Sequence, residues 1–332
     1  MPDVRRRAFI SLLGGAATAW PLAARAQQGE RVRRIGVLIA SVESDPERQK
    51  DVKAFQEVLH ELGWIDGRNI QIDIRWAPNR ESMQRFAKDL VALQPDVILA
   101  PTTSATQAIL QQTRTIPTIF AVSNDPVGSG FVQSFPRPGG NVTGFINMEP
   151  TMASKWLELL KEIAPHVNRV AFLFNPATAP YLEYYLNPLK AAAASFGVEA
   201  IVAPIGDMSE LETAVAAQAR EPNGSLIMMP DFFTLSHRAE VTSLAARYRL
   251  PAVYPFRQFA EAGGMLSYGN DTTDNYRRAA TYVDRILKGA KPSELPVQAP
   301  VKFQLLINLK AAKALGLKIP ESLLARADEV IE

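Results

Sequence analysis

The sequence predicts an α/β protein of two similar lobes, each a parallel sheet with helices on both faces. Three observations carry this. Short β-branched runs alternate with amphipathic helical patterns, and the alternation restarts partway along the chain. The 332 residues are also enough for about two domains with cores of their own. Composition is that of a folded globular chain, 47% hydrophobic and 21% charged.

In the first half, Ile35–Ala40 reads as a buried strand. Pro46–Leu62 follows as a helix with Val52, Phe55, Val58, Leu59 and Leu62 on one face and Gly63 as its stop. Asn69–Trp76 alternates Ile70, Ile72 and Ile74 as a second strand. A helix over Met83–Leu93, a strand at Val97–Ala100, a helix from Ser104 and a strand at Thr118–Val122 complete the βαβ rhythm. The order then repeats. Arg34–Ala40 is echoed by Arg169–Asn175, Ile98–Pro101 by Ile227–Pro230, Ile116–Phe120 by Leu250–Tyr254, and Gly139–Gly144 loosely by Gly263–Gly269. The offsets are about 125 to 135 residues, as an internal duplication produces. Residues 34–148 are therefore read as lobe 1, 149–268 as lobe 2, and 269–332 as a crossover segment. In that segment the helix Asn275–Leu287 and the strand-like Val301–Ile307 are expected to complete both sheets, so that repeated passages between lobes make a hinge.

Residues 1–26 read as an export signal peptide. Arg5-Arg6-Arg7 precedes Ala8-Phe9-Ile10 and an Ala/Gly-rich apolar stretch, and Ala24-Arg25-Ala26 offers a cleavage site before Gln27. The arginines fit a twin-arginine signal, and the expected location is periplasmic. The leader carries four Arg and one Asp, so the remainder falls from +2 to −1 and has no basic bias toward nucleic acid. No later apolar run reaches the length of a membrane span. The absence of cysteine excludes disulfides, thiolate metal sites, a cysteine nucleophile and a lipid-modified cysteine.

In doubly wound sheets ligands sit beyond the carboxyl ends of the strands, which directs attention to the residues there. Thr102, Thr103 and Ser104 follow the third strand and open a helix, where hydroxyls and free N–H groups serve either as a cap or as a carboxylate site. Asp125, after Ser123, either accepts a ligand ammonium or closes an Asx turn before Pro126. In the second half Asp231 follows Pro230, and Phe232 and Phe233 line a pocket or join the core. Ser41, Asn175, Tyr254, Tyr268 and Asp271 end other strands. Trp76 ends the second strand, where it stacks on a flat ligand or is buried. Enzyme signatures are missing: there is no phosphate-cradling GxxxxGK[ST], and no GxSxG elbow. Asp125 and Asp231 as an acid/base pair look the same in sequence as carboxylates that only bind an amine. Binding is the plainer reading, with no catalytic residue, metal or cofactor expected.

The chain resembles ABC-transporter substrate-binding proteins of the tryptophan/tyrosine-binding type. Its blocks are Glu61–Asn69, Phe120–Gly128, Arg137–Gly144, Leu250–Arg257, Glu261–Gly269 and Lys302–Gly316. The resemblance runs from about Arg34 to the C-terminus. It implies type I periplasmic-binding-protein architecture: two Rossmann-like lobes, three hinge crossovers, a ligand in the cleft, and docking of the closed form on an ABC permease in the inner membrane. It implies an aromatic amino acid or related carboxylate as ligand, and it places the 101–105 turn, Asp125, Asn175, Asp231 and Tyr268 at the cleft. Pro101-Thr-Thr-Ser-Ala105 departs from the family's Gly-Thr-Pro-Ala-Ala by its extra hydroxyls. A monomer is expected. A sensory receptor handing its closed form to a membrane kinase is the first alternative, and a cleft enzyme using Asp125 and Asp231 the second.

Overall fold

The computed structural model describes residues 31–332, so the expected leader, residues 1–26, lies outside the described residues. Strands β1 (Arg33–Ile39), β2 (Ile70–Trp76), β3 (Val97–Leu99), β4 (Thr118–Ser123) and β5 (Val142–Ile146) form a parallel sheet in the order β2-β1-β3-β4-β5. Helices α1 (Pro46–Glu61), α2 (Arg80–Ala92) and α3 (Thr103–Gln112) connect its first four strands. Asp45 caps α1 by accepting the Glu47 N–H at 3.0 Å, and Pro46 fits the first turn, where its missing N–H is no loss. Helix α2 starts three residues before Met83, because Asn79 and Ser82 form a reciprocal capping box.

The second sheet repeats this order. Strands β6 (Arg169–Phe174), β7 (Glu199–Pro204), β8 (Gly224–Met228), β9 (Ala252–Tyr254) and β10 (Leu266–Asn270) run β7-β6-β8-β9-β10, all parallel. Every echoed sequence block falls on the matching strand of the other sheet. Helices α4 (Met152–Ile163), α5 (Leu182–Phe196), α6 (Met208–Ala219), α7 (Phe232–Ser236), α8 (Arg238–Arg247) and α9 (Arg257–Glu261) belong to this half. Beyond α10 (Thr272–Leu287) the chain adds β11 (Phe303–Asn308), antiparallel to β10, then α11 (Leu309–Ala314), α12 (Glu321–Leu324) and β12 (Glu329–Ile331).

The two lobes exchange helices. Strand β5 of the first sheet runs into α4, whose Trp156, Leu160 and Ile163 pack with Val170, Phe172, Ile227 and Leu266 of the second. Strand β10 of the second runs into α10, whose Tyr276, Ala279, Ala280 and Val283 pack with Ile35, Val37 and Ile119 of the first. After α10 the chain runs along the first sheet, where the Leu295 carbonyl accepts the Thr143 hydroxyl and Gln298 bridges to Phe145, and then returns to β11. These are three passages between lobes. The last segment serves the two sheets differently: the first gains α10 as a covering helix, and only the second gains strands. Pro296 and Pro300 flank Gln298 and have no N–H to donate, so a ladder on β5 cannot extend beyond one bridge.

Fully buried Asn275 ties α10 to its adopted sheet, its Nδ2 donating to the carbonyls of Ala121 at 2.9 Å and Ile146 at 3.0 Å. Asn275→Leu, similar in size, strands both carbonyls. We expect it to lose about 2 kcal/mol in urea unfolding, and an unchanged midpoint would contradict this role. Each half also holds a glycine where the fifth strand meets the fourth. Gly144 has φ +148°, and a Cβ there would stand 2.0 Å from the Phe120 carbonyl oxygen. At Gly269 it would stand 1.8 Å from the Pro255 carbonyl oxygen.

Candidate functional site

Both sheets point the carboxyl ends of their parallel strands at one cavity of about 110 Å³. From the first lobe it is bordered by Asp45 and Arg48 of α1, the Thr102–Ser104 turn, and Asn124 after β4. From the second come Thr178, Tyr181, Asp231, Phe232, Arg238 and Phe256. Asn147 and Thr272 stand on the crossovers between them.

The Thr102–Ser104 turn is the N-terminus of α3. Thr102 caps the helix, its Oγ1 accepting the Ala105 N–H at 3.2 Å and lying 3.1 Å from the Ser104 Oγ. The first-turn N–H groups of Thr103 and Ser104 have no intrahelical acceptor and carry the positive end of the helix dipole. The Thr103 hydroxyl turns inward, accepting the Asn124 N–H at 2.9 Å and sitting 3.2 Å from the buried Ser123 hydroxyl, so it locks the turn onto the end of β4. Beside the turn, Arg48 pairs with Asp51 at 2.8 Å, and Asp51 accepts a hydrogen bond from Thr273 of α10 at 2.7 Å. Burial works to lower the Arg48 pKa, but Asp51, then Tyr276 and Asp45, hold it above its ordinary value.

On the opposite wall Asp231 is 3% exposed and caps α7, accepting the Phe233 N–H at 2.8 Å, the Asn175 N–H at 2.7 Å and the Thr178 hydroxyl. Burial pushes its carboxyl above the usual range, against these three hydrogen bonds, and no cation pairs with it among the described residues. Asn147 is also 3% exposed. Its Nδ2 donates to Asn124 Oδ1 at 3.2 Å, and that oxygen also accepts the Tyr185 hydroxyl at 2.6 Å. The Asn147 Oδ1 has no partner among the described residues, and Asn147 is one of the residues bordering the cavity. The first-lobe wall thus presents the α3 N–H donors and Arg48, with Asp45 beside them. The second presents the Asp231 carboxylate, which no cation pairs with among the described residues, beside aromatic rings, with Arg238 also on the lining.

Of the residues singled out in the sequence, Thr102, Thr103, Ser104, Asp231 and Phe232 come together on the lining. Ser41 and Asn175 stand one step behind it: the Ser41 hydroxyl donates to Asp45 Oδ2 at 2.8 Å, and the Asn175 N–H supports Asp231. Ser123 is buried behind Thr103. Asp125, at φ +43°, closes a turn by accepting the Gly128 N–H at 2.8 Å and lies off the lining. Trp76 packs against the first core, Tyr254 is buried against Phe259 with ring centres 4.9 Å apart, and Tyr268 stacks on Phe303. Asp271 caps α10 and pairs with Lys302 at 2.8 Å; partial burial raises its carboxyl, but Lys302 holds it below the ordinary value.

Sequence reading passed over Asp45, Arg48, Asn124, Asn147, Thr178, Tyr181, Arg238 and Phe256. Two had a visible signal. Arg48 and Asp51 put charges on the stripe of α1 that also carries Val52 and Phe55, and a charge on a buried stripe asks for a reason. Asn147 ends the fifth strand, where the strand-end rule applied to the other strands would have found it.

A family model described as ABC transporter substrate binding protein matches residues 35–331. The chain is 26% identical over 281 residues to the "Tyrosine-binding protein" of Clostridioides difficile, covering 84% of this chain and 80% of the relative. It is similar to the crystal structure of a conserved domain protein from Vibrio cholerae, with a TM-score of 0.83 and 28% identity, covering 90% of this chain and 100% of that one. It is equally similar to the ABC domain from Streptococcus pneumonia in complex with L-Trp, with a TM-score of 0.82 and 28% identity over 90% and 99% of the two chains.

Proposed function

Since this chain belongs to the family of ABC transporter substrate-binding proteins, we propose that it captures an aromatic amino acid in the inter-lobe cleft, in the periplasm, and delivers it to an inner-membrane permease. The observation that carries this reading is the polarity of the cavity. Helix α3 opens its N-terminus on the cleft from the first lobe, while Asn147 borders it on the crossover and the Asp231 carboxylate on the far side. A free amino acid presents the complement, a carboxylate and an ammonium on one carbon. The carboxylate is received by the Thr103 and Ser104 N–H groups with Arg48 nearby, and the ammonium by Asn147 and Asp231. Phe232 and Phe256 border the same space and offer an aromatic side chain its packing surface. The relatives support the ligand class, one bearing the name "Tyrosine-binding protein" and another being solved with L-Trp. The sequence of residues 1–26 supports export.

Each lobe contributes one half of this polar pair, so the ligand draws them together. Calorimetry against L-tryptophan, L-tyrosine and L-phenylalanine, with tryptamine and indole-3-propionate as controls, tests the reading. The expected result is saturable one-to-one binding of an amino acid with far weaker binding of both controls, accompanied by contraction in X-ray scattering. Binding of indole-3-propionate as tight as that of tryptophan would remove the ammonium subsite, and a flat titration for all three amino acids would remove the ligand class.

A further inference from the structure

One side-chain donor of the main cleft is unspent. Asn124, the residue after β4, borders the cavity and is 5% exposed. Its backbone N–H is fixed on the Thr103 hydroxyl at 2.9 Å, so its side chain starts from the corner where α3 opens. The amide oxygen is occupied, accepting the Tyr185 hydroxyl at 2.6 Å and the Asn147 Nδ2 at 3.2 Å. The amide nitrogen has no hydrogen-bond partner among the described residues, yet unlike the Asn147 Oδ1 it is not sealed from solvent. It faces the second-lobe wall. Burial and Asp231 push the Tyr181 hydroxyl up, and the Asn124 amide pulls it down, as a donor turned toward that oxygen does. Tyr181 borders the cavity as well, and gives its own proton to the Pro230 carbonyl at 2.8 Å.

Which end of an amide meets a ligand is decided by what holds the other end. Here Tyr185 of α5 decides it. The side chain is fully buried, and burial, with Tyr184 and Tyr181 nearby, keeps its hydroxyl well above the ordinary range, so the proton stays on and is donated. Asn124 Oδ1 at 2.6 Å takes that proton ahead of the Met148 carbonyl at 3.4 Å. With the oxygen held inward, the nitrogen is left to the cleft. The Tyr185 ring is set in the second-lobe core, with ring centres 5.8 Å from Trp156 and 4.9 Å from Tyr184. A second-lobe side chain thus orients a first-lobe donor.

Resting on the reading that the cleft takes an aromatic amino acid, we propose that Asn124 Nδ2 donates to the ligand carboxylate beside the α3 N–H groups, and that Tyr185 is the positioning residue that aims it. A carboxylate accepts at about four lone-pair sites, so it has room for this donor as well as the helix N–H groups. The carboxylate subsite then depends on contact between the lobes. When Tyr185 moves away from β4, the amide is free to turn and present its oxygen, which repels a carboxylate. Lobe contact and ligand affinity are coupled, and the coupling is reciprocal.

The test measures half-saturation by thermal shift for whichever of L-tryptophan, L-tyrosine and L-phenylalanine binds the native chain most tightly. The same is done for its amine without the carboxylate: tryptamine, tyramine or phenethylamine. Asn124→Asp keeps an oxygen for Tyr185 and Asn147 but puts a second oxygen in place of Nδ2. It should weaken the amino acid at least about tenfold, the scale of a hydrogen bond to a charged group, and should not weaken the amine. Tyr185→Phe keeps the ring and removes the hydroxyl. It should weaken the amino acid about three- to tenfold, the scale of one hydrogen bond, and leave the amine unchanged. Added to Asn124→Asp it should cost nothing further, because the two ends of a carboxylate are alike and need no orienting. Equal losses for amino acid and amine in Tyr185→Phe, or native amino-acid binding by Asn124→Asp, would overturn the proposal. Tyr185→Phe carries the test should Asn124→Asp fail to fold. If the native chain binds none of the three amino acids, the ligand class falls and this proposal with it. If it binds one and the variants do not separate acid from amine, only the roles of Asn124 and Tyr185 fall.

Discussion

Replacing Asp231 with asparagine is expected to weaken amino-acid binding about 10- to 150-fold, because a hydrogen bond to a charged group contributes about 1.5–3 kcal/mol. The amine-free analogue indole-3-propionate should lose less than about threefold, since it makes no such bond. The contrast separates a lost ammonium partner from general damage to α7, whose first turn Asp231 caps. Equal losses for both ligands would assign Asp231 to local structure alone. The same carboxyl sets a pH dependence. Burial holds its pKa above the ordinary range, whereas a bound ammonium favours the ionised form. Ligand uptake then displaces a proton, so affinity falls as pH drops through the raised pKa, beginning above the usual carboxylate window. The asparagine variant loses that slope. For folding the sign is opposite: a carboxyl whose pKa is raised in the folded state opposes folding while ionised, and protonation at falling pH relieves it.

Gly144→Ala is expected to be the most damaging single methyl group in the first lobe. Its φ of +148° lies where alanine is strained, and the added carbon would press on the Phe120 carbonyl oxygen from 2.0 Å. Strain of about 1–3 kcal/mol and overpacking of about 1–3 kcal/mol act together, so a loss of about 3 kcal/mol or more is expected. Gly67→Ala is the control. Its φ is +78°, yet a Cβ there meets nothing within 4 Å, and about 1 kcal/mol is expected. Urea midpoints with unchanged slopes measure both. Equal losses would mean that the close approach of β4 and β5 is free to relax.

The doubled sheet was legible because its signal is periodic and strong: short, mostly apolar strands, spaced by helices and repeated in order. What stayed hidden was which sheet each late element joins. The pattern of α10 shows an apolar face but not whose core that face enters, and the destination follows from the short crossover at Asp271 and from proline around Gln298. At the site, the strand-end rule found the α3 turn and Asp231, which sit where a parallel strand gives way to a helix. The same rule also selected Asp125, Tyr254 and Tyr268, but Tyr268 lies in the middle of β10, and all three spend their side chains on a turn or on core stacking. Only tertiary packing separates these cases. Arg48 was missed because a helix pattern is read for its apolar members, so that a cation within the stripe looks like an interruption.

The exchange of α4 and α10 bears on how the protein is made. Strands β1–β4 leave a synthesising machine first, but the helix that covers their face ends only at Leu287. Contacts such as Thr273–Asp51 and Trp64–Asp284 span 222 and 220 residues. The earliest-made sheet therefore waits, with an apolar face exposed, for some of the last-made sequence, whereas the later half receives α4 ahead of its own strands. Such a chain has high contact order and a slow closing step, and during that interval it is a natural client for a holding chaperone. A boundary drawn after the fifth strand would cut out neither half as an independent folding unit, since each is finished by a helix that follows the other's sheet.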